Sequence, residues 1–312
     1  MDLYEFRSMR PEEWDDVANL IFTSTNALYV ANGRPPIFVG EPSDASLFCE
    51  VYEALDPGCC LLAVEKASGA IGGSCFYHPR PTHVSLGIMN VHPEHFGKGI
   101  ARQLLAQMVE MAKADDKPVR LVSSAMNLDS FSLYNRAGFV PRAAFQDMLL
   151  PVPEDGMPRE HQPPGFDRVR PAIPEDLPAM AALERELHHI ERPDDYRYFL
   201  KNEAEIWRVS IIEGENGTGL NGFLCSVNHP GSRMLGPGVM RTQEDAAALI
   251  FHQLDQHRGG MPVWLIPVEA DRLVQQLYQW GARNCELHFS QVRGAWQRPK
   301  GIIMPTFMPE TS

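Results

Sequence analysis

The sequence predicts an α/β fold, a mixed sheet covered by helices and used twice in tandem, and three observations carry that expectation. Two apolar runs, Cys60 to Lys66 and Ala70 to Tyr77, flank Ala67-Ser68-Gly69 as the arms of a hairpin flank its turn, and the strands after them alternate with helical periodicities. Pro151 to Pro164 packs five prolines among charges with no periodic apolar face, which reads as an extended linker. On either side of it the chain repeats itself at low fidelity. With an offset of 163, Arg7, Pro11, Glu12, Glu13, Val17, Ala18 and Leu20 align with Arg170, Pro174, Glu175, Asp176, Met180, Ala181 and Leu183. With an offset of 144, Pro118-Val119, Leu121 and Leu133-Tyr134 align with Pro262-Val263, Leu265 and Leu277-Tyr278. The expected domains are residues 1–150 and 166–312, joined by 151–165.

Helical patterns cover about Pro11 to Ala27 and Asp44 to Leu55. Proline in the first turn of the former costs no hydrogen bond, and the acids after it suit the positive end of the helix dipole. After the hairpin come a third strand, His83 to Val91, a glycine-containing loop, and a helix from about Gly99 to Ala114. The apolar positions Ile100, Leu104, Met108 and Met111 keep that helix's spacing. A strand at Val119 to Ser124, a short helix at Ser130 to Ala137 and a last strand at Phe139 to Leu149 complete the first domain. In the second, Val209 to Ile212 and Leu220 to Leu224 read as strands and Ala246 to Gln256 as a helix. The tail, Gly301 to Pro309, is too apolar to dangle and should dock.

At 312 residues and 44% hydrophobic the chain can bury two ordinary cores without metal or disulfide. Its formal charge of −12 and lack of a basic stripe argue against nucleic acid. No apolar run is long enough to span a membrane and no signal-like start is seen, so the expected location is cytoplasmic. Cys49, Cys59, Cys60, Cys75, Cys225 and Cys285 show no zinc spacing and read as mostly buried thiols, so no metal is expected.

The chemistry is concentrated in Val91-His92-Pro93-Glu94-His95-Phe96-Gly97-Lys98-Gly99-Ile100-Ala101-Arg102. A strand, a tight glycine loop and a helix start follow one another there, so backbone N–H groups and the dipole favour an anion such as phosphate. Farther on stand Asn127, Tyr134 seven residues later, and Gly138-Phe139. This set resembles the GNAT superfamily of acyl-CoA-dependent N-acetyltransferases, with its V-x-P-x-x-R-G-x-G-x-G/A loop and its later N-x-x-x-x-x-x-Y-x-x-x-G-F.

The resemblance implies acetyl-CoA as acyl donor. Amides from Phe96 through Gly97, Lys98, Gly99, Ile100 and Ala101, with Arg102 beside them, would hold the pyrophosphate. The strand edge at Met89, Asn90 and Val91 would pair with pantetheine, Asn127 would bond the pantetheine arm, and Tyr134 would protonate the leaving thiolate. The acceptor implied is a small-molecule or peptide amine. Its specificity is expected from the least regular stretch, Thr23 to Phe48, with Tyr29, Arg34, Pro35, Pro36 and Phe38, the alternative being that Tyr29 and Phe38 only cap the core. Two departures stand out: Phe96 replaces the family's usual Arg or Gln, and Ser85 to Asn90 offers no carboxylate to take the amine's proton. His83 is the nearest titratable side chain by sequence, although a lone histidine at a strand start reads more readily as an exposed bystander. These departures keep a second expectation alive, a CoA-binding scaffold or regulator without turnover.

The second half changes at the corresponding places. Leu235-Gly236-Pro237-Gly238-Val239-Met240 stands in place of the glycine loop, and Pro237 removes a donor. Asp271 stands where the first half has Asn127. Residues 166–312 are therefore expected to be a degenerate GNAT-like domain without CoA, serving to pack, to shape the acceptor cleft or to form a homodimer.

Overall fold

The computed structural model describes residues 3–217, 219–308 and 310–311. The chain divides into two compact units, and they do not follow the sequence halves. The first comprises residues up to Val140 together with Gln291–Ala295 and Phe307–Thr311; the second comprises Pro141–Ser290 and Trp296–Thr306.

In the first unit, β1 (Tyr4–Ser8), β2 (Cys60–Glu65), β3 (Ile71–Pro79), β4 (Val84–Val91) and β5 (Val119–Ser124) lie side by side in that order. Helices α1 (Trp14–Ala31), α2 (Ser46–Leu55), α3 (Ile100–Ala114) and α4 (Leu128–Arg136) connect them. The hairpin forms as expected, with β2 antiparallel to β3. Because helices cover the sheet, β2 and β3 are buried almost throughout rather than alternately. The inner face of α3 is Ile100, Leu104, Leu105, Met108, Val109 and Ala112, each buried residue of leucine or isoleucine size contributing roughly 1.5–3 kcal/mol of transfer free energy. Met111 is exposed, since the buried stripe follows Val109 and Ala112 around the helix.

The second unit repeats the plan with β7 (Val169–Pro171), α5 (Leu177–His188), α6 (Pro193–Lys201), β8 (Trp207–Glu213), β9 (Leu220–His229), β10 (Ser232–Met240), α7 (Gln243–Asp255), β11 (Val263–Pro267) and α8 (Asp271–Gln279). The aligned residues make matching contacts. Arg7 grips Glu13 through both guanidinium nitrogens at 2.9 and 2.5 Å, and Arg170 grips Asp176 at 2.7 and 2.9 Å. Each acid also accepts a backbone N–H three residues before it, from Arg10 and from Ile173. The strand expected to close the first domain, β6 (Val140–Leu149), instead pairs antiparallel with β11 in the second unit, from Val263↔Leu149 to Pro267↔Phe145. Correspondingly, the last residues of β12 (Arg283–Arg293) lie beside β5, where Ser123 Oγ donates to Gln291 Oε1 at 2.8 Å. Each unit thus takes its closing strand from the other half of the sequence.

The expected linker is docked rather than free. Val152 and Met157 are buried in the second unit's core, and the N–H of Val152 donates to Gly260 O at 2.8 Å. The tail docks as well: β13 (Ile302–Met304) pairs antiparallel with Gly238–Met240 of β10, and β14 (Thr306–Phe307) pairs with β15 (Glu310–Thr311). Pro309 lies outside the described residues. Among the described residues no helix is long and apolar enough to cross a membrane.

Candidate active site

The site grows from β4. On one side this strand pairs with β3 along its whole length, with a bulge that puts an extra β4 residue between Met89 and Leu86. On the other side it pairs in parallel with β5 only at Val84↔Val119 and Ser85↔Arg120. Beyond Ser85 the two strands part, so the edge carrying Met89, Asn90 and Val91 has no ladder on that side among the described residues. An open strand edge of this kind accepts amides of an extended ligand. Asn90 is fixed by a bond from its Nδ2 to Ser24 Oγ of α1, 2.6 Å.

From Val91 the chain makes one short turn, Pro93–His95, and enters α3. His95 is buried and its Nδ1 lies 2.6 Å from Tyr4 Oη, while Ile100 packs so closely over β3 that a Cβ on Gly73 would stand 2.7 Å from it. Both contacts pin the loop between them. Gly97 and Gly99 have φ of 76° and 79°, which glycine adopts at no steric cost; no atom crowds Gly97, so conformation and not space selects glycine there. The Phe96 N–H donates to Pro93 O at 3.2 Å, so Phe96 is not a cradle donor as expected, and its ring is 61% exposed. The first helical bond runs from Gln103 to Gly99 O. Among the described residues, no carbonyl accepts from the N–H groups of Gly97, Lys98, Gly99, Ile100, Ala101 or Arg102, and the Lys98 and Arg102 side chains are exposed beside them. Six uncommitted donors and two cations at a helix N-terminus give this place a positive potential of the kind that suits an anion.

Across the cleft, Asn127 caps α4, its Oδ1 accepting from Ser130 N at 3.0 Å, which leaves Nδ2 as a donor of fixed direction. Tyr134 sits on the same helix, buried in the core, its ring 5.8 Å from that of Phe139. His83 is fully buried rather than an exposed bystander, with Thr82 Oγ1 3.0 Å from its Nδ1. Of the acceptor-side residues, Tyr29 lies within α1, which runs four residues past its expected end. Phe38 is held by both amide atoms of Asn26 and stacks on Phe22.

A cluster that sequence reading missed lies behind the bulge. His78 Nδ1 is 2.8 Å from Asp56 Oδ2, Arg80 donates to Asp56 Oδ1 at 2.6 Å, and a Cβ on Gly87 would meet His78 Nε2 at 2.8 Å. Burial raises the Asp56 carboxyl, but the hydrogen bonds from His78 and Arg80 outweigh it and hold its pKa below the ordinary value. His78 and Arg80 follow Asp56 by 22 and 24 residues, beyond the hairpin turn between β2 and β3, and no local spacing ties them to it.

The second unit lacks each part of this arrangement. Leu235 to Met240 is not a loop but part of β10, bulged between Leu235 and Gly238. The edge of Gly238, Val239 and Met240 is occupied by Met304, Ile303 and Ile302. Helix α7 is capped by its own Thr242, whose Oγ1 accepts from Asp245 N at 3.1 Å, and buried Asp245 puts a carboxylate at the dipole's positive end. Tyr278, aligned with Tyr134, turns outward to bond Gln146. Among the described residues one group has metal-ligand atoms close together, Asp147, Glu286 and His288. One donor atom from each lies within 4.8 Å of the others, and His288 faces Asp147 through Nδ1 at 2.8 Å and Glu286 through Nε2 at 3.8 Å.

Residues 25–139 match the family model described as "Acetyltransferase (GNAT) family". The match covers a little over a third of the chain, the part that holds β4, the glycine loop and α3. Solved structures extend the GNAT fold over nearly the whole chain. A protein of Pyrococcus horikoshii assigned as an acetyltransferase is 15% identical with a TM-score of 0.73, the match covering 96% of this chain and 92% of that one. A GCN5-related N-acetyltransferase from Sphaerobacter thermophilus is 15% identical with a TM-score of 0.66, over 96% and 98%. A tandem GNAT protein from the clavulanic acid biosynthesis pathway is 15% identical with a TM-score of 0.59, over 93% and 98%. At this identity the likeness shows the fold, and it is a tandem GNAT fold. No curated protein matches the sequence.

Proposed function

We propose that the GNAT domain binds acetyl-CoA and transfers the acetyl group to a primary amine of a small molecule or peptide, by direct attack within a ternary complex. The observation that carries this is the run of uncommitted N–H groups from Gly97 to Arg102 immediately after an unpaired edge of β4. A cradle for pyrophosphate and a strand edge for pantetheine amides are what such a cofactor needs, in that order along its length. Bound there, acetyl-CoA supplies an activated thioester.

The chain's own residues do the rest. Backbone donors from Gly97 to Ala101, with Lys98 and Arg102, neutralise phosphate charge. Met89 to Val91 align the extended arm, and Asn127 Nδ2 donates to one of its carbonyls. Tyr134 holds a hydroxyl proton for the departing thiolate. Most of the rate enhancement then comes from alignment. Direct attack is favoured over a thioester on the protein because no Cys or Ser stands in a recognisable nucleophile motif, and burial raises the thiols of Cys49, Cys59 and Cys60 above their ordinary value.

Calorimetric titration with acetyl-CoA tests the binding step. One site per chain is expected, abolished by Gly99→Glu, which places a bulky anion in the cradle. Two sites, or one that survives the substitution, would sink the assignment. Release of free CoA with an amine panel then tests turnover. Tyr134→Phe should lower kcat by about 10²-fold, the lower range for a lost general acid, with little change in acetyl-CoA affinity. Binding with no turnover for any amine would favour the scaffold role, which the absence of a carboxylate on β4 also supports.

A further inference from the structure

We propose that the segment Phe307–Thr311 forms the acceptor-side wall of the first unit's cleft, shielding the thioester from water and limiting the length of the acyl chain. The proposal rests on the acyl-CoA reading above and adds a specificity determinant drawn from the far end of the sequence. Four observations carry it. The segment belongs to the first unit, and β15 lies against both β4 and β5. Those strands part after Ser85 and Arg120, so a segment touching both spans the gap between them. It is anchored: Tyr52, fully buried on α2, donates its hydroxyl to Phe307 O at 2.9 Å, and Met308 is fully buried. Finally, β15 forms its ladder with β14 and not with β4.

The last point separates a wall from a plug. In the second unit β13 is laddered directly onto Gly238–Met240, and the corresponding edge is consumed. In the first unit no ladder joins β15 to β4, and on this reading the backbone groups of Met89 to Val91 are left for pantetheine. Its anchored stretch, Phe307 and Met308, is apolar and contributes shape and exclusion of water, while Glu310 follows in the sequence as the segment's one ionisable residue.

The test compares the full chain with a variant ending at Thr306 and with Tyr52→Phe, which removes the anchoring donor while keeping every residue of the tail. Without ligand, amide hydrogen exchange at Leu86 to Ile88 and Leu121 to Ser124 should accelerate at least tenfold in the truncated protein. With acetyl-CoA, calorimetric affinity should stay within about threefold of wild type. Thiol release from acetyl-CoA in the absence of any amine should rise tenfold or more, and the preference for acetyl-CoA over hexanoyl-CoA should fall by a similar factor. Tyr52→Phe should show the same changes in smaller measure. Unchanged exchange, or unchanged hydrolysis and chain-length preference, overturns the wall. Acetyl-CoA affinity that rises tenfold on truncation also overturns it, because the segment would then be a plug. If wild type binds no acetyl-CoA while the exchange difference persists, the acyl-CoA reading is what fails, and the tail's role in transfer goes with it.

Discussion

Gly87 shows how narrowly the strand beside the cleft is constrained. A Cβ there would meet His78 Nε2 at 2.8 Å, Phe76 Cβ at 3.0 Å and Phe76 O at 3.1 Å, and His78 cannot swing aside without leaving Asp56. Gly87→Ala should therefore cost about 1–3 kcal/mol, the range for overpacking a filled site. Gly97→Ala meets no atom and should cost about 1 kcal/mol for its left-handed backbone alone. Urea unfolding of both variants checks the order, and a larger loss at Gly97 would refute the packing argument. Asp56 adds a pH dependence. Its folded pKa lies below the ordinary 3.8, so its contribution is complete above that value and is lost as pH falls through the folded one. Asp56→Asn should lower the midpoint of thermal unfolding at pH 7 and leave it nearer to wild type at pH 2.5.

At the scale of elements, the repeated clasps at the start of α1 and α5 behave alike. Hydrogen bonding to Arg7 and to Arg170 lowers the Glu13 and Asp176 pKa values below their ordinary 4.5 and 3.8, against a smaller opposing effect of burial. Both clasps should thus stabilise their units above about pH 4.5 and release as acid protonates them. Glu13→Gln and Asp176→Asn should each flatten the acid limb of a stability profile, and a profile unchanged by either would show that the clasp contributes nothing. The sequence marked these residues by their recurrence at one offset and read them as helix starts, but it did not say that they would bond each other. The strand–loop–helix course from Val84 to Ala114 was legible, since alternation, glycine and helical spacing are all local. Three features were not legible. Which sheet takes Val140 to Leu149 depends on partners more than 100 residues away, and a strand pattern does not name its neighbour. Gly236-Pro237-Gly238 imitates a turn, yet the segment remains a bulged strand. Asp56, His78 and Arg80 meet only once α2 and β3 are packed.

Across the whole molecule, the division into units that ignore chain order makes its own prediction. Under partial denaturation, exchange at Gln291 to Arg293 should follow that of β5, and exchange at Phe145 to Met148 should follow that of β11. If residues 145–148 exchanged together with β5 instead, each half of the chain would be closing its own sheet and the division would be wrong. The second unit should bind no acetyl-CoA at any concentration short of unfolding, since its strand edge is laddered and its helix start is capped by its own side chains.

The late arrival of the closing segments also bears on how the protein is made. The edge of β5 waits for residues 291–295, about 150 residues after Val140 has left the ribosome. At roughly 5–20 residues per second that is an interval of about 8 to 30 s. Throughout it the nascent amino-terminal half carries an incomplete sheet with an edge open to wrong partners. A cell making this chain must either protect that edge with a chaperone or translate the intervening stretch quickly, and synonymous codons that slow ribosomes between residues 141 and 290 should lower the soluble yield without changing a single amino acid.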